Sequence, residues 1–130
     1  VIESMLAKNT RERVSIDCVT TLHDAIQHIN KHDYHIILLE LSLPDSDGLD
    51  TLMKVDAEAP DTPIVVLTGN QNTQLGIEAV QIGAQDYLPK ADVNGPLLTR
   101  SIRYAIERHR IEMAVRRSEK EYRALMINVS

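Results

Sequence analysis

Cysteine occurs once in the 130 residues, at Cys18, which excludes an internal disulfide and a cysteine metal cluster. Within "VSIDCVT" it is expected to be a small buried hydrophobe without a chemical role. Long apolar runs are missing too. The longest, Ile36 to Leu39 and Ile64 to Leu67, fall far short of the roughly 20 residues that cross a bilayer. No charged-then-apolar segment opens the sequence, so no membrane partner and a cytoplasmic location are expected. Tryptophan and phenylalanine are absent, and Tyr104 and Tyr122 are the only aromatic residues among the bases of the last thirty positions. Acids interleave with those bases, which disfavours a nucleic-acid-binding stripe.

What is present fits one ordinary globular domain: 43% hydrophobic and 25% charged residues allow a packed core. The net charge of −5 is unevenly spread, since residues 1–99 hold 6 Lys/Arg against 15 Asp/Glu, whereas 100–130 hold 8 against 4. The basic end differs in kind from the acidic body and reads as a solvated helix.

Along the chain, strand patterns alternate with helix patterns. "VIESMLAKN" places Ile2, Met5 and Leu6 as the closing turns of an amphipathic helix. "VSIDCV" predicts a short strand, and "TLHDAIQHINKHD" a helix with Leu22, Ala25, Ile26 and Ile29 on one face. Ile36–Leu39 predicts a buried strand, followed by a helix from near Gly48 that turns Leu49, Leu52 and Met53 inward. Pro60 and Pro63 bracket a loop before the strand "IVVL". "GNQNTQ" opens a helix that buries Leu75, Ile77 and Val80 and ends at Gly83, and "DYL" is a strand before Lys90. A last helix of about 30 residues, about 45 Å long, starts near Gly95 and Pro96 with Leu97, Leu98, Ile102 and Ile106 facing the body. Its polar surface carries i,i+4 charge pairs Arg103/Glu107, Arg108/Glu112, Arg117/Glu121 and Glu119/Arg123. Its apolar positions Met113, Val115, Tyr122 and Leu125 do not keep a clean heptad, so coiled-coil homodimerisation is only weakly signalled.

Short connections between alternating strands and helices, with strands apolar throughout, imply an α/β fold with a parallel sheet covered by helices on both faces. Ligands and chemistry gather at the carboxyl ends of such strands. Glu40 after "IILL", Thr68 after "IVVL" and Lys90 after "DYL" stand at three such ends and are expected to converge. "DSDG" resembles the opening of a calcium loop, but position 12 counted from Asp45 is Asp56, in a helix context, so Asp45, Asp47 and Gly48 read as turn and helix-start residues. The five histidines (His23, His28, His32, His35, His109) form no catalytic arrangement and are expected to be solvated.

Together, "HIILLELSLPDSDGLDTL", "PIVVLTGN" and "GAQDYLPKAD" resemble the receiver domain of bacterial two-component response regulators, and "RRSEKEYRALMINVS" is similar to the stretch that opens a PAS sensor domain. The resemblance implies a flavodoxin-like, doubly wound, five-stranded parallel sheet whose first strand, with its metal-holding acid pair, is expected upstream of Val1. It further implies a receiver-like domain over 1–112 and a helical linker over 113–130, leading to a PAS-like output domain. Glu40 then occupies the position of the aspartate that accepts a phosphoryl group from a histidine kinase. Thr68 matches the hydroxyl residue that bonds the phosphate, Lys90 the lysine that pairs with it, and Tyr87 the aromatic switch. Glutamate is longer by one methylene, about 1.5 Å, and near-attack geometry tolerates displacements of that order poorly. The expectation is therefore a regulatory, non-enzymatic module without phosphotransfer. The alternatives are a Glu40–Lys90 salt bridge that signals nothing, a genuine phosphoacceptor and a purely structural dimerisation module. For Mg²⁺ the inner candidates are Glu40 and the backbone carbonyl of Ser42, too few without the upstream acid pair, so no metal is assigned.

Overall fold

The computed structural model of the chain describes residues 4–7, 15–69, 73–92 and 94–129. Five strands form one sheet: β1 (Ser4–Ala7), β2 (Ile16–Val19), β3 (Ile36–Glu40), β4 (Ile64–Thr68) and β5 (Asp86–Pro89). Four helices accompany them: α1 (Leu22–Lys31), α2 (Leu49–Glu58), α3 (Thr73–Gln81) and α4 (Gly95–Val129). The strand order is β2-β1-β3-β4-β5, with β3, β4 and β5 parallel.

The sheet is mixed rather than wholly parallel, because β1 runs antiparallel to both β2 and β3. Ser4–Ala7 was expected to close a helix; here it is a strand. Two constraints favour this. The inner edge of β3 presents backbone N–H and C=O groups that need partners. Residues 8–15 are also too few for the crossover, on the order of a dozen residues or more, that a parallel neighbour of β2 requires. Ile2 of the expected helix lies outside the described residues, as do residues 70–72 at the expected opening of α3.

Alternation along the strands divides the aliphatic residues between two faces. Ile37 and Leu39 of β3 and Ile64 and Val66 of β4 pack with Leu22, Leu52, Val55 and Ala79 beneath α1, α2 and α3. Ile36, Leu38, Val65, Leu67 and Leu88 pack on the other face against Ala105 of α4, flanked by Leu98, Ile102 and Ile106. Leu97 is half-buried.

Several inward assignments shift by one helical position. In α2 the buried stripe is Thr51, Leu52 and Val55, which leaves Met53 53% exposed, a turn of about 100° beyond Leu52. In α3 the buried residues are Gly76 and Ala79, while Ile77 and Val80 face solvent. Close approach explains this: a Cβ at Gly76 would lie 2.4 Å from the Tyr87 ring, so the facing helix surface must be small. Gly83 ends α3 with φ of 133°, while Ala84 N–H closes back on the Ala79 carbonyl at 3.0 Å. Cys18 is exposed rather than buried, because β2 is an edge strand and α1 covers only the face carrying Val19.

The 35 residues of α4 extend about 52 Å. Of the residues expected to pair at i,i+4, Arg108 and Glu112 reach the body and Glu107 pairs within the helix at i,i+3. Arg108 contacts Asp86 (3.7 Å) and the Gln85 carbonyl (3.4 Å), Glu112 accepts from the Gln85 amide (3.0 Å), and Glu107 meets Arg110 (3.6 Å). Arg117, Glu119, Glu121 and Arg123 stand in solvent. Among the described side chains, the large exposed apolar residues of α4 are Tyr104, Ile111, Val115 and Tyr122, separated by 7, 4 and 7 positions. That is heptad spacing along one seam, which the sequence pattern obscured because Met113 lies off it. The side chain of Leu125 lies outside those described. Among the described residues no helix is long and apolar enough to cross a membrane.

At the far edge, Tyr34 is buried and its hydroxyl donates to Asp17 Oδ2 at 2.5 Å, joining β2 to the turn that enters β3. Burial, then that bond and the Asp17 charge, push the phenol well above its usual range. Tyr34→Phe is expected to lower unfolding stability by about 1 kcal/mol, read from the urea midpoint at unchanged slope.

Candidate functional site

Register brings the carboxyl ends of three strands side by side: Glu40 is opposite Leu67, and Thr68 is opposite Pro89. Hydrogen-bonded strands lie about 4.8 Å apart, so a lysine just past β5 can span β4 and reach β3. Lys90, in the single 3₁₀ turn Lys90–Asp92, does so: its Nζ forms an ion pair with Glu40 Oε1. The glutamate side chain is 14% exposed and the lysine 34%, so solvent screens the pair only in part. Thr68, 4% exposed, lines the same cleft of about 320 Å³ with Glu40, Ser42, Asp47, Gly69 and Lys90.

Three of the four sequence-predicted site residues thus meet. Tyr87 does not line the cleft. It sits half-buried under Gly76 and packs with the larger core, while Leu75 of α3 reaches both that core and the cleft wall. Tyr87 thus contacts α3 and not Glu40.

The loop after Glu40 is held by bonds that were not foreseen. Leu43 and Ser46 exchange backbone hydrogen bonds (2.8 and 3.3 Å). The fully buried Thr51 hydroxyl donates to the Leu41 carbonyl at 3.0 Å, and Ser46 Oγ lies 2.7 Å from Thr51 Oγ1. Asp45 reaches across to α1, where its carboxylate accepts the N–H of Leu22 at 2.8 Å and of His23 at 3.0 Å. Thr21 Oγ1 accepts the next, from Asp24, at 3.1 Å. These are orphan donors of the helix start, and an anion there is favourable. Thr51 had one sequence signal, a polar residue on the inward stripe of α2. Asp45 had none, because its partners lie 22 and 23 residues upstream.

The described residues do not fit a Mg²⁺ site. Glu40 is engaged by Lys90, Asp47 is the other carboxylate of the cleft, and no group of three or more His, Cys, Asp or Glu that could hold a metal occurs among them. Three histidines do more than face water: His23 Nε2 lies 3.1 Å from Gln27 Nε2. His28 Nδ1 lies 2.9 Å from the Asp24 carbonyl, and His109 Nε2 lies 2.6 Å from the Asp61 carbonyl, pinning α4 at the opposite end of the sheet.

The family model for the response regulator receiver domain matches residues 1–103. Regulatory protein LuxO of Vibrio cholerae serotype O1 is 42% identical over 77 residues, 59% of this chain and 17% of that protein. Transcriptional regulatory protein BasR of Escherichia coli is 30% identical over 109 residues, 84% of this chain and 49% of that protein. The chain therefore spans at most about half the length of these relatives. Among solved structures, the signal receiver domain of a LuxO repressor protein from Vibrio parahaemolyticus superposes with a TM-score of 0.64 at 32% identity, covering 75% of this chain and 74% of that one. The beryllofluoride-activated NtrC4 receiver domain dimer gives 0.64 at 26% identity, covering 72% and 76%.

The backbone N–H groups of His23 and Leu22 hold the Asp45 carboxyl below its ordinary value of 3.8. The stabilisation is present above that value and is lost as pH falls through the lower folded value. Acid titration followed by circular dichroism is expected to show a shallower loss of stability below about pH 4 in Asp45→Asn than in the parent.

Proposed function

The chain belongs to the response regulator receiver domain family, and on that premise we propose that it is a receiver whose acceptor-position carboxylate signals without being phosphorylated. Receiver domains are signalling modules that meet histidine kinases and output domains. In this one, residues 1–112 form the receiver-like unit, and 113–130 form the helical linker toward a PAS-like output domain. Through that linker it passes a conformational or dimerisation state.

The observation that carries the reading is the Glu40–Lys90 ion pair. The extra methylene extends the carboxylate toward the lysine, and its permanent charge imitates part of the roughly −2 that a phosphoryl group brings. The reading places Thr68 as the hydroxyl donor to whatever oxygen occupies the cleft and Tyr87 as the element that reports occupancy to α3. The 7-4-7 seam of exposed apolar residues on α4 supports the dimerisation limb: a second copy in parallel register would bury Tyr104, Ile111, Val115 and Tyr122 against their equivalents.

One observation favours the rival, a genuine phosphoacceptor. Asp47 places a second carboxylate on the same cleft. Mg²⁺ could then be held only with acids beyond those described. Intact mass after treatment with acetyl phosphate and Mg²⁺ separates the two: no added phosphoryl group is expected, and one that persists in Glu40→Gln would select Asp47 and sink the proposal. In the longer protein, Glu40→Gln is expected to change output; unchanged output would favour a purely structural module. For the seam, Val115→Glu combined with Tyr122→Glu is expected to shift light-scattering mass from dimer to monomer. A monomeric parent would remove the dimerisation limb.

A further inference from the structure

The bonds around the loop that leaves β3 form one connected chain, and its two ends are functionally unlike. At one end is the N-terminus of α1, whose Leu22 and His23 N–H groups are both taken by Asp45. Asp45 belongs to the turn closed by the reciprocal Leu43 and Ser46 backbone bonds. Ser46 Oγ meets Thr51 Oγ1; since the Thr51 proton is committed to the Leu41 carbonyl, Ser46 is the donor of that pair. At the other end, the Leu41 carbonyl belongs to the residue that follows Glu40. Thr51 is fully buried and Leu41 is 3% exposed, so neither can exchange its bond for water.

We infer that Thr51 and Asp45 are positioning residues for Glu40, which hold the end of β3 where its carboxylate meets Lys90 and couple that ion pair to the N-terminus of α1. The inference rests on the reading of Glu40 given above and adds α1 as a second reporting element beside α3. Three features support it. Thr51 fixes the Leu41–Ser42 peptide, one residue beyond the Cα that carries the acceptor-position side chain. The apolar neighbours Leu39 and Leu41 pack into the larger core and leave little freedom except at that carbonyl. Finally, an exposed carboxylate reaching a helix 22 residues upstream joins two segments that have no local reason to move together.

The test uses the whole chain with ¹⁵N-labelled lysine, following exchange of the Lys90 ammonium protons, assigned by loss of the signal in Lys90→Arg. Thr51→Val keeps the shape and removes the hydroxyl. It is expected to speed that exchange by about threefold or more, the scale of losing a partly exposed ion pair, with helical circular dichroism retained. Thr51→Ser is expected to restore the parent rate, and Asp45→Asn to move it in the same direction as Thr51→Val. Reciprocally, Glu40→Gln is expected to change amide exchange at Leu22 and His23. A lowered Tm in Thr51→Val with Lys90 exchange unmoved overturns the inference and leaves Thr51 an ordinary core hydrogen bond. Should Thr51→Val fail to fold, Ser46→Ala, less buried, decides in the same way. Glu40→Gln also serves as the separate control: if it leaves Lys90 exchange at the parent rate, the ion pair itself is absent in solution, and the proposed function falls rather than the coupling alone.

Discussion

Parallel pairing of β3, β4 and β5 is the constraint from which the rest of the molecule follows. Strands that share direction also share an end, so whatever residues terminate them are delivered to one edge within the reach of a long side chain. Burial of Ile36 to Leu39 and of Ile64 to Leu67 on both faces fixes the register, since a slip by one residue would exchange the two aliphatic sets between helices of different shape. A polar group at such an edge has a dry floor and a wet mouth. There a carboxylate and an ammonium keep part of the attraction that bulk water would screen.

The two faces of that sheet are covered unequally. Among the described residues three helices share one side and one takes the other, where α4 anchors the second layer through Leu98, Ile102, Ala105 and Ile106. Its contacts at the opposite end of the sheet, Arg108 on Asp86 and His109 on the Asp61 carbonyl, hold it at a second level. Two sets of contacts lead away from the strand ends. One passes through Tyr87 and the small surface of α3 at Gly76. The other passes through the loop that Asp45 ties to α1.

Sequence periodicity revealed the elements from β2 onward, and the polar strand ends Glu40 and Thr68 were legible because each follows an uninterrupted aliphatic run. Glu40, Thr68 and Lys90 needed only the assumption of a parallel sheet to be placed together. The errors came where a neighbour, not the segment, decides. Gly76 faces inward because the Tyr87 ring lies over it, so Ile77 and Val80 are displaced to the surface. Cys18 is exposed because only one face of an edge strand is covered. Ser4–Ala7 has a helix-like pattern but satisfies the open side of β3. Asp45 reads as a turn residue on its own, and its bonds to Leu22 and His23 depend on a distant helix being brought alongside.

The length of α4 has a mechanical consequence. Among the described residues its last bond to the body is that of Glu112 with Gln85, and from Met113 onward it is a stiff arm whose polar flanks are exposed through Arg123. Over the roughly 25 Å of that arm, a tilt of about 5° at its base sweeps the tip through about 2 Å. A sub-ångström rearrangement beneath Ala105 would thus arrive at the far end magnified, large enough to change which residues interdigitate with a neighbour.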